Sequence, residues 1–161
     1  MTLEATQTLW LFLPALPVAL WVAWSDLKFM RIPNVSVLVM LGVFVVFGFV
    51  ALPFQAYLWR LLGVVVVLVI GFILNALRLV GGGDAKYAAA IAPFFASQDL
   101  RTVLLLFAVM LLAAFVSHRL FRKIGFVRRL TPNWKSWEAG KDFPMALALS
   151  GTLIAYLLLQ L

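Results

Sequence analysis

The chain has 161 residues, of which 65% are apolar and 12% charged, and its formal net charge is +7. A soluble domain has roughly 45–50% apolar and about 25% charged residues, so this chain has too few charged side chains to cover a water-soluble surface. The high hydrophobicity also excludes a disordered chain. The sequence contains no cysteine and one histidine, which excludes disulfides, a thiol nucleophile and the usual metal sites. We expect an integral membrane protein without cofactor or metal.

Six apolar segments follow one another along the chain, separated by short polar or turn-forming stretches. A bilayer core needs about 20 apolar helical residues, and long continuous apolar runs do not fit the alternating strands of a membrane barrel. We predict an all-α, polytopic membrane protein, a single integral-membrane domain over residues 1–161. Its six predicted transmembrane helices are residues 9–24, 35–52, 57–77, 85–96, 103–116 and 143–159.

The fourth segment is the shortest, and the basic residues test whether it crosses the membrane. With six spans, eleven of the thirteen Lys and Arg residues lie on one side, and only Arg60 and Arg101 lie on the other. A re-entrant fourth segment would divide them five against eight. Because basic residues concentrate in cytoplasmic loops, the sequence favours six spans with both termini extracytoplasmic. The net charge then reflects topology and is no indication of nucleic-acid binding.

The polar residues outside the spans have ordinary interpretations. Trp134, Lys135 and Trp137 suit a loop in the cytoplasmic headgroup region, and His118 is expected at the interface. Four acidic residues lie in predicted loops or tails, where we expect solvated charges: Glu4, Asp99, Glu138 and Asp142.

Asp26 and Asp84 differ from the other acids because both lie at the cytoplasmic edge of the apolar layer. Asp26 closes the first span, and Asp84 follows three glycines directly before the fourth. Taken singly, Asp84 could be a helix N-cap, and Asp26 could pair with Lys28 or Arg31. Two carboxylates at one depth instead favour a shared functional site.

Paired carboxylates are what an aspartyl hydrolase requires. One carboxylate takes a proton from water, and the other, protonated, donates to the scissile carbonyl oxygen; close like charges keep one of them protonated. Asp84 lies near a helix N-terminus, which favours the anion, and Asp26 lies near a helix C-terminus. These positions predict Asp84 as the base and Asp26 as the acid, although Lys28 and Arg31 oppose this assignment. Glycines before Asp84 would allow an unwound backbone and close approach of an extended substrate.

At these residues the sequence resembles a known family. Gly81-Gly82-Gly83-Asp84-Ala85-Lys86 fits the G-x-G-D-x-K motif of type IV prepilin peptidases, which are intramembrane aspartyl peptidases of the GxGD type. Asp26, followed by Arg31-Ile32-Pro33-Asn34, is similar to the first motif of that family. A third similarity is Phe143-Pro144-Met145-Ala146 at the start of the last span.

The resemblance implies roles for particular residues. Asp26 and Asp84 would be the catalytic dyad. Residues implied to bind substrate or shape the site are Gly81, Gly83, Lys86, Arg31, Pro33 and Asn34.

The resemblance also implies a substrate and a cellular setting. The short chain is similar to the compact peptidases of tight-adherence (Tad, Flp-pilus) systems. The larger bifunctional enzymes carry a cytoplasmic domain between the first two spans. Here that connection is about ten residues long and contains no cysteine, so peptidase activity without N-methylation is implied. The expected substrate is a prepilin or pseudopilin with a short basic leader and an apolar helix, cleaved at the cytoplasmic face of the bacterial inner membrane.

Two alternatives remain open from the sequence. A small ion-coupled transporter would also use intramembrane carboxylates and a glycine-broken helix. Against it, both aspartates lie at the membrane edge and no internal repeat is visible. The second alternative is a non-catalytic assembly subunit of a pilus or secretion machine. Besides a prepilin, membrane lipids are the only partners expected.

Overall fold

The computed structural model describes residues 5–140 and 142–161. The expectation for Glu4 and the contribution of Lys141 to the cytoplasmic charge therefore lie outside the described residues. Within them the chain is helical and contains no strand, which confirms the all-α prediction.

Seven α-helices of six or more residues occupy the described part of the chain: α1 (Ala5–Phe29), α2 (Asn34–Val43), α3 (Phe54–Ala76), α4 (Gly82–Ile91), α5 (Leu100–Lys123), α6 (Gly125–Leu130) and α7 (Met145–Leu159). The chain continues from α2 through a π-helical turn, Phe44–Gly48, into the short helix Phe49–Ala51. Single 3₁₀ turns lie at Ala92–Phe94, Ser97–Asp99 and Lys135–Trp137.

Four of these helical segments are long and apolar enough to cross a membrane: Ala5–Phe29, Asn34–Ala51, Phe54–Ala76 and Ser97–Lys123. The sixth predicted span is α7, a shorter apolar helix of 15 residues. The helix in the fourth predicted span, α4, has only ten residues and is about 15 Å long. Six membrane crossings therefore stay a prediction, although a helix occupies each of the six predicted places.

Pro93 explains why the fourth segment is short. The α-helix ends at Ile91, and Pro93 lies in the 3₁₀ turn that follows. A proline inside a helix removes a backbone N–H and clashes with the carbonyl of the preceding turn. Phe95 is then extended, so the predicted helix over residues 85–96 was too long at its C-terminal end.

The core lies where α1, α4 and α7 meet their neighbours. α7 packs against α1 and α5, while α4 packs against α2 and α3. Eight of the fifteen residues of α7 are buried. By contrast, α3 and α5 each bury only two residues and expose long rows of leucine, valine and phenylalanine. A helix that is apolar on its exposed face suits contact with lipid.

The turns after α1 and α3 lead to the sequence motifs. α1 ends where Met30 adopts a left-handed conformation, with φ of 51°, and its N–H donates to the Asp26 carbonyl at 2.8 Å. The Ser25 hydroxyl donates to the Arg31 carbonyl at 3.0 Å, which closes this turn. After α3, the side-chain amide of Asn75 donates to the Val80 carbonyl at 2.8 Å.

The loop between α6 and α7 is packed against the helices. Trp137 is 4% exposed and its ring stacks on that of His118, with centroids 5.0 Å apart and an angle of 15°. The indole N–H donates to the Thr131 carbonyl at 3.0 Å. The 3₁₀ turn Lys135–Trp137 packs against α1. His118 is also 4% exposed, because the two rings bury each other. The position of Trp137 and His118 at the headgroup region stays a prediction.

Asp99 also departs from the expectation of a solvated charge. Its Oδ2 accepts a hydrogen bond of 2.8 Å from the Tyr156 hydroxyl, and that hydroxyl accepts the N–H of Ala96 at 3.1 Å. Asp99 therefore ties the segment before α5 to the end of α7. Glu138 and Asp142 are exposed, as expected.

Candidate active site

An open cleft with a volume of about 940 Å³ lies between the ends of α1, α2 and α4. Both aspartates line it. So do all the other residues that the sequence assigned to the site: Gly81, Gly83, Lys86, Arg31, Pro33 and Asn34. The fold thus brings residues 26–34 and 81–86, which are about 50 positions apart, into one site.

Asp26 lies in the last turn of α1, is 6% exposed and caps another helix. Its Oδ2 accepts the backbone N–H of Ala146 at 3.0 Å. Ala146 is the second residue of α7, and the N–H groups of a first helical turn have no partner within the helix. The Asp26 carboxylate therefore holds the start of α7, and α7 in return fixes this carboxylate at the cleft.

Asp84 lies in the first turn of α4, preceding the predicted fourth span. The N-cap of α4 is Gly81, which is extended, and α4 begins at Gly82. The glycine run is thus unwound at Gly81 alone, and Asp84 is an acid in the first turn rather than the cap itself. A Cβ on Gly81 would lie 2.5 Å from Asp84 Oδ2. A side chain at position 81 would therefore displace the Asp84 carboxylate from its present position.

Two further contacts join the motif segments. Ile32 lies close to Gly83: a Cβ on Gly83 would lie 3.4 Å from Ile32 Cβ, in ordinary van der Waals contact. Lys86 Nζ donates to Asn34 Oδ1 at 3.3 Å. Asn34 is the first residue of α2 and Pro33 is its N-cap, without a side-chain capping bond. Asn34 therefore does not cap α2, and its side chain binds Lys86.

The basic residues near Asp26 do not neutralise it. The Lys28 ammonium lies over the Trp24 and Phe29 rings, 4.8 and 5.1 Å from their centroids. Within the described residues, neither Lys28 nor Arg31 forms an ion pair with Asp26. The alternative interpretation of Asp26 as an interfacial ion-pair partner was therefore wrong.

The two carboxylates interact electrostatically. Burial, and next the negative charge of Asp26, raise the pKa of Asp84 to about 6 from its ordinary value of 3.8. Asp26 receives a backbone N–H at the N-terminus of α7, which the sequence could not show. A helix N-terminus favours an anion, so this contact opposes the sequence-based assignment of Asp26 as the protonated partner.

A comparison with protein families places this site in a known group. The model of the type IV leader peptidase family matches residues 11–118, which is more than half of the chain and includes both aspartates. The chain belongs to the type IV leader peptidase family. Neither the curated proteins nor the solved structures include a significant match.

Membership of the leader peptidase family makes the chain a membrane protease that acts on a protein substrate. The cleft suits a polypeptide, because it is open and has an apolar side. Trp21, Trp24 and Phe29 line it from α1 and are 39%, 44% and 45% exposed.

Two contributors to the leader peptidase site were missed by sequence reasoning. The Ala146 N–H is a backbone group 120 positions from Asp26, and the similarity of residues 143–146 to a family motif was its one signal. Lys135 also lines the cleft, although the sequence indicated a loop in the headgroups. Both lie beyond the part of the chain that the family model matches.

The site offers no ligand set for a metal ion. No group of three or more His, Asp and Glu side chains with suitable spacing occurs in residues 5–140 and 142–161. The chemistry available in the cleft is that of two carboxyl groups, one buried and hydrogen-bonded and the other with a raised pKa.

Proposed function

We propose that the protein is an intramembrane aspartyl endopeptidase with Asp26 and Asp84 as its catalytic dyad. It would remove the short basic leader from a prepilin or pseudopilin. The observation that carries this proposal is the meeting of two carboxylates from separate motif segments in one open cleft with an apolar side. Family membership supports proteolysis, and the pair of carboxyl groups supports its aspartyl chemistry.

The two carboxyl groups have different roles, one as the base and the other as the acid. Asp26, ionised and held by the Ala146 N–H, takes a proton from the attacking water. Asp84, protonated, donates a proton to the scissile carbonyl oxygen. The tetrahedral intermediate then collapses as the leaving nitrogen is protonated. Since kcat/KM reports the ionisation of the free enzyme and the pKa of Asp84 is about 6, kcat/KM should fall as the pH rises above this value. A flat profile from pH 5 to 8 would contradict these roles.

The dyad is tested by leader removal from a co-expressed prepilin. Asp26→Asn and Asp84→Asn should each abolish cleavage, while Asp142→Asn is the matched control because Asp142 is an exposed aspartate outside the cleft. The amount of each variant in the membrane must match the wild type, and neither variant may unfold at a lower temperature than the wild type. Cleavage that survives either dyad substitution would refute the aspartyl mechanism.

We place the cleft at the cytoplasmic face, with six spans and both termini extracytoplasmic. Arg31 and Lys86 line the same cleft, and basic residues mark the cytoplasmic side. The cysteine-free sequence allows single labels at Arg129→Cys and Leu161→Cys. A membrane-impermeant thiol reagent should label the first from the cytoplasm and the second from outside. The reverse pattern would refute this topology.

The substrate setting rests on resemblance to compact tight-adherence peptidases. The connection between α1 and α2 is short, residues 30–33, and leaves no room for a separate cytoplasmic domain. The mature pilin should therefore leave the enzyme without an N-terminal methyl group, in the bacterial inner membrane. Mass analysis of the processed pilin tests this, and a methylated product would contradict it.

A further inference from the structure

The connection between α6 and α7 brings a cation to the cleft. Lys135 lines the cleft together with both aspartates. In the described part of the chain its ammonium group has no hydrogen bond or ion pair. Arg31 and Lys86 also line the cleft, but Lys86 is hydrogen-bonded to Asn34. Lys135 is therefore a free donor that comes from an element outside the two motif segments.

The position of Lys135 is built into the fold. The residues on its C-terminal side, Ser136 and Trp137, are 1% and 4% exposed. Trp137 is clamped between two rings, with centroids 5.0 Å from His118 and 5.7 Å from Trp134. A side chain whose chain neighbours are fixed in this way costs less conformational entropy when it binds.

Lys135 does not serve the dyad directly. The charge that acts on Asp84 comes from Asp26, and neither carboxylate is ion-paired with Lys135 in the described structure. An ammonium group that lines a cleft without contacting its carboxylates faces the space that a bound polypeptide would occupy. The chemistry that it recognises there is an oxygen acceptor, either a main-chain carbonyl or a carboxylate.

We propose that Lys135, fixed by the stacked rings of Trp134, Trp137 and His118, binds an oxygen acceptor of the substrate chain in the cleft. This inference rests on the proposed leader-peptidase function. A basic leader would be repelled by this ammonium group, so the contact falls on the part of the substrate that follows the leader.

The test is a kinetic comparison of purified variants with a prepilin in a neutral detergent. Lys135→Met should raise KM roughly tenfold, as expected for a lost charge-assisted hydrogen bond, and leave kcat within about threefold. Lys135→Arg should restore most of the loss. Lys123→Met is the matched control, because Lys123 is exposed at the end of α5 and lies outside the cleft. It should behave as the wild type.

A second variant tests the clamp. Trp137→Leu should release the turn and raise KM in the same way, and adding Lys135→Met to it should cause little further change. If the penalty of Lys135→Met disappears with a substrate whose carboxylates are changed to amides, the acceptor is a carboxylate. If it persists, the acceptor is a carbonyl.

Wild-type KM in Lys135→Met, or equal losses in Lys135→Met and Lys135→Arg, would overturn the inference. So would a loss that occurs only in vesicles of anionic lipid, because Lys135 would then bind headgroups. Asp26→Asn separates this outcome from the proposed function. If Asp26→Asn is inactive while Lys135→Met is normal, only the role of Lys135 fails.

Discussion

Gly71→Ala tests whether the close approach of α3 to α4 sets the position of Asp84. Gly71 is buried on α3, and a Cβ there would lie 2.9 Å from Ala85 Cβ and 3.3 Å from Ala85 Cα. Carbon atoms in good contact are about 3.5–4.0 Å apart, so the helices must separate by at least about 0.6 Å. Because Ala85 follows Asp84 in the chain, this displacement moves the Asp84 carboxylate relative to Asp26.

The expected effect is larger on kcat than on KM. A displacement of 1 Å in a reacting group costs on the order of 100-fold in rate, so about 0.6 Å should lower kcat roughly tenfold. KM should change little, since Gly71 does not line the cleft. Overpacking a core also costs about 1–3 kcal/mol of stability, which a thermal unfolding curve should show as a lower Tm.

Gly63→Ala is the matched control on the same helix. A Cβ on Gly63 would meet nothing within 4 Å, and alanine is favoured over glycine in a helix by about 1 kcal/mol. Its kcat should be that of the wild type and its Tm equal or higher. Both variants are assayed by initial rates of leader removal in one detergent. Wild-type kcat in Gly71→Ala would refute the reasoning, and so would equal losses of kcat in both variants, because only Gly71 is close to Ala85.

Three further predictions concern stability. Asp84→Asn should raise the Tm at pH 7.5 but not at pH 4. The pKa of Asp84 is raised from 3.8 to about 6, so the protonated Asp84 contributes its full stability to the wild-type fold below pH 3.8. This stability is lost as the pH rises through about 6, where Asp84 ionises in the folded protein. A Tm difference that does not vary with pH would contradict this. Tyr87→Phe and Ser150→Ala each leave one hydroxyl of a buried 2.8 Å hydrogen bond unpaired, which costs about 1–3 kcal/mol. The double variant should lose less than the sum, and strict additivity in unfolding measurements would show that the hydroxyls do not interact. His118→Phe should keep the stack on Trp137 and remove Nε2, which is buried without a hydrogen-bond partner in the described structure. Its Tm should rise by the equivalent of about 1 kcal/mol, and a fall would show that Nε2 is bonded.

The sequence predicted the helical segments well because membrane helices are encoded locally. Apolar runs and the breaks between them locate each helix without knowledge of its neighbours. The error at the end of the fourth segment was also local, since Pro93 stands inside the predicted range 85–96. Because proline disrupts a helix, Pro93 alone predicts a helix end near Ile91.

The two aspartates could be predicted because acidic residues are few in this chain. Their shared predicted depth follows from the order of the spans, because the depth of a residue depends on its position along its own span. Which of the two carboxyl groups holds the proton cannot be predicted in the same way. It depends on the Ala146 N–H, which comes from a helix that begins 119 positions after Asp26. The helix dipole of α1 alone is therefore an incomplete basis for assigning the base and the acid.

Side-chain burial in the connections was the least predictable feature. Trp137 and His118 are amphipathic residues that suit a membrane interface equally well. Their mutual stacking is a tertiary contact between α5 and a loop, and no local pattern distinguishes it from exposure. Asp99 is similar, because its partner Tyr156 lies 57 positions away.

The segment after residue 118 therefore completes a site whose motifs lie before it. The family match ends at His118, but α7 supplies the one backbone donor that the described structure gives to the Asp26 carboxylate. The loop before α7 carries Lys135 to the same cleft and is held by the ring of His118 itself. Because an aspartate buried without a donor would be costly, Asp26 and the start of α7 are each stabilised by the other. The motif segments define the chemistry, and the C-terminal segment holds the aspartate in place.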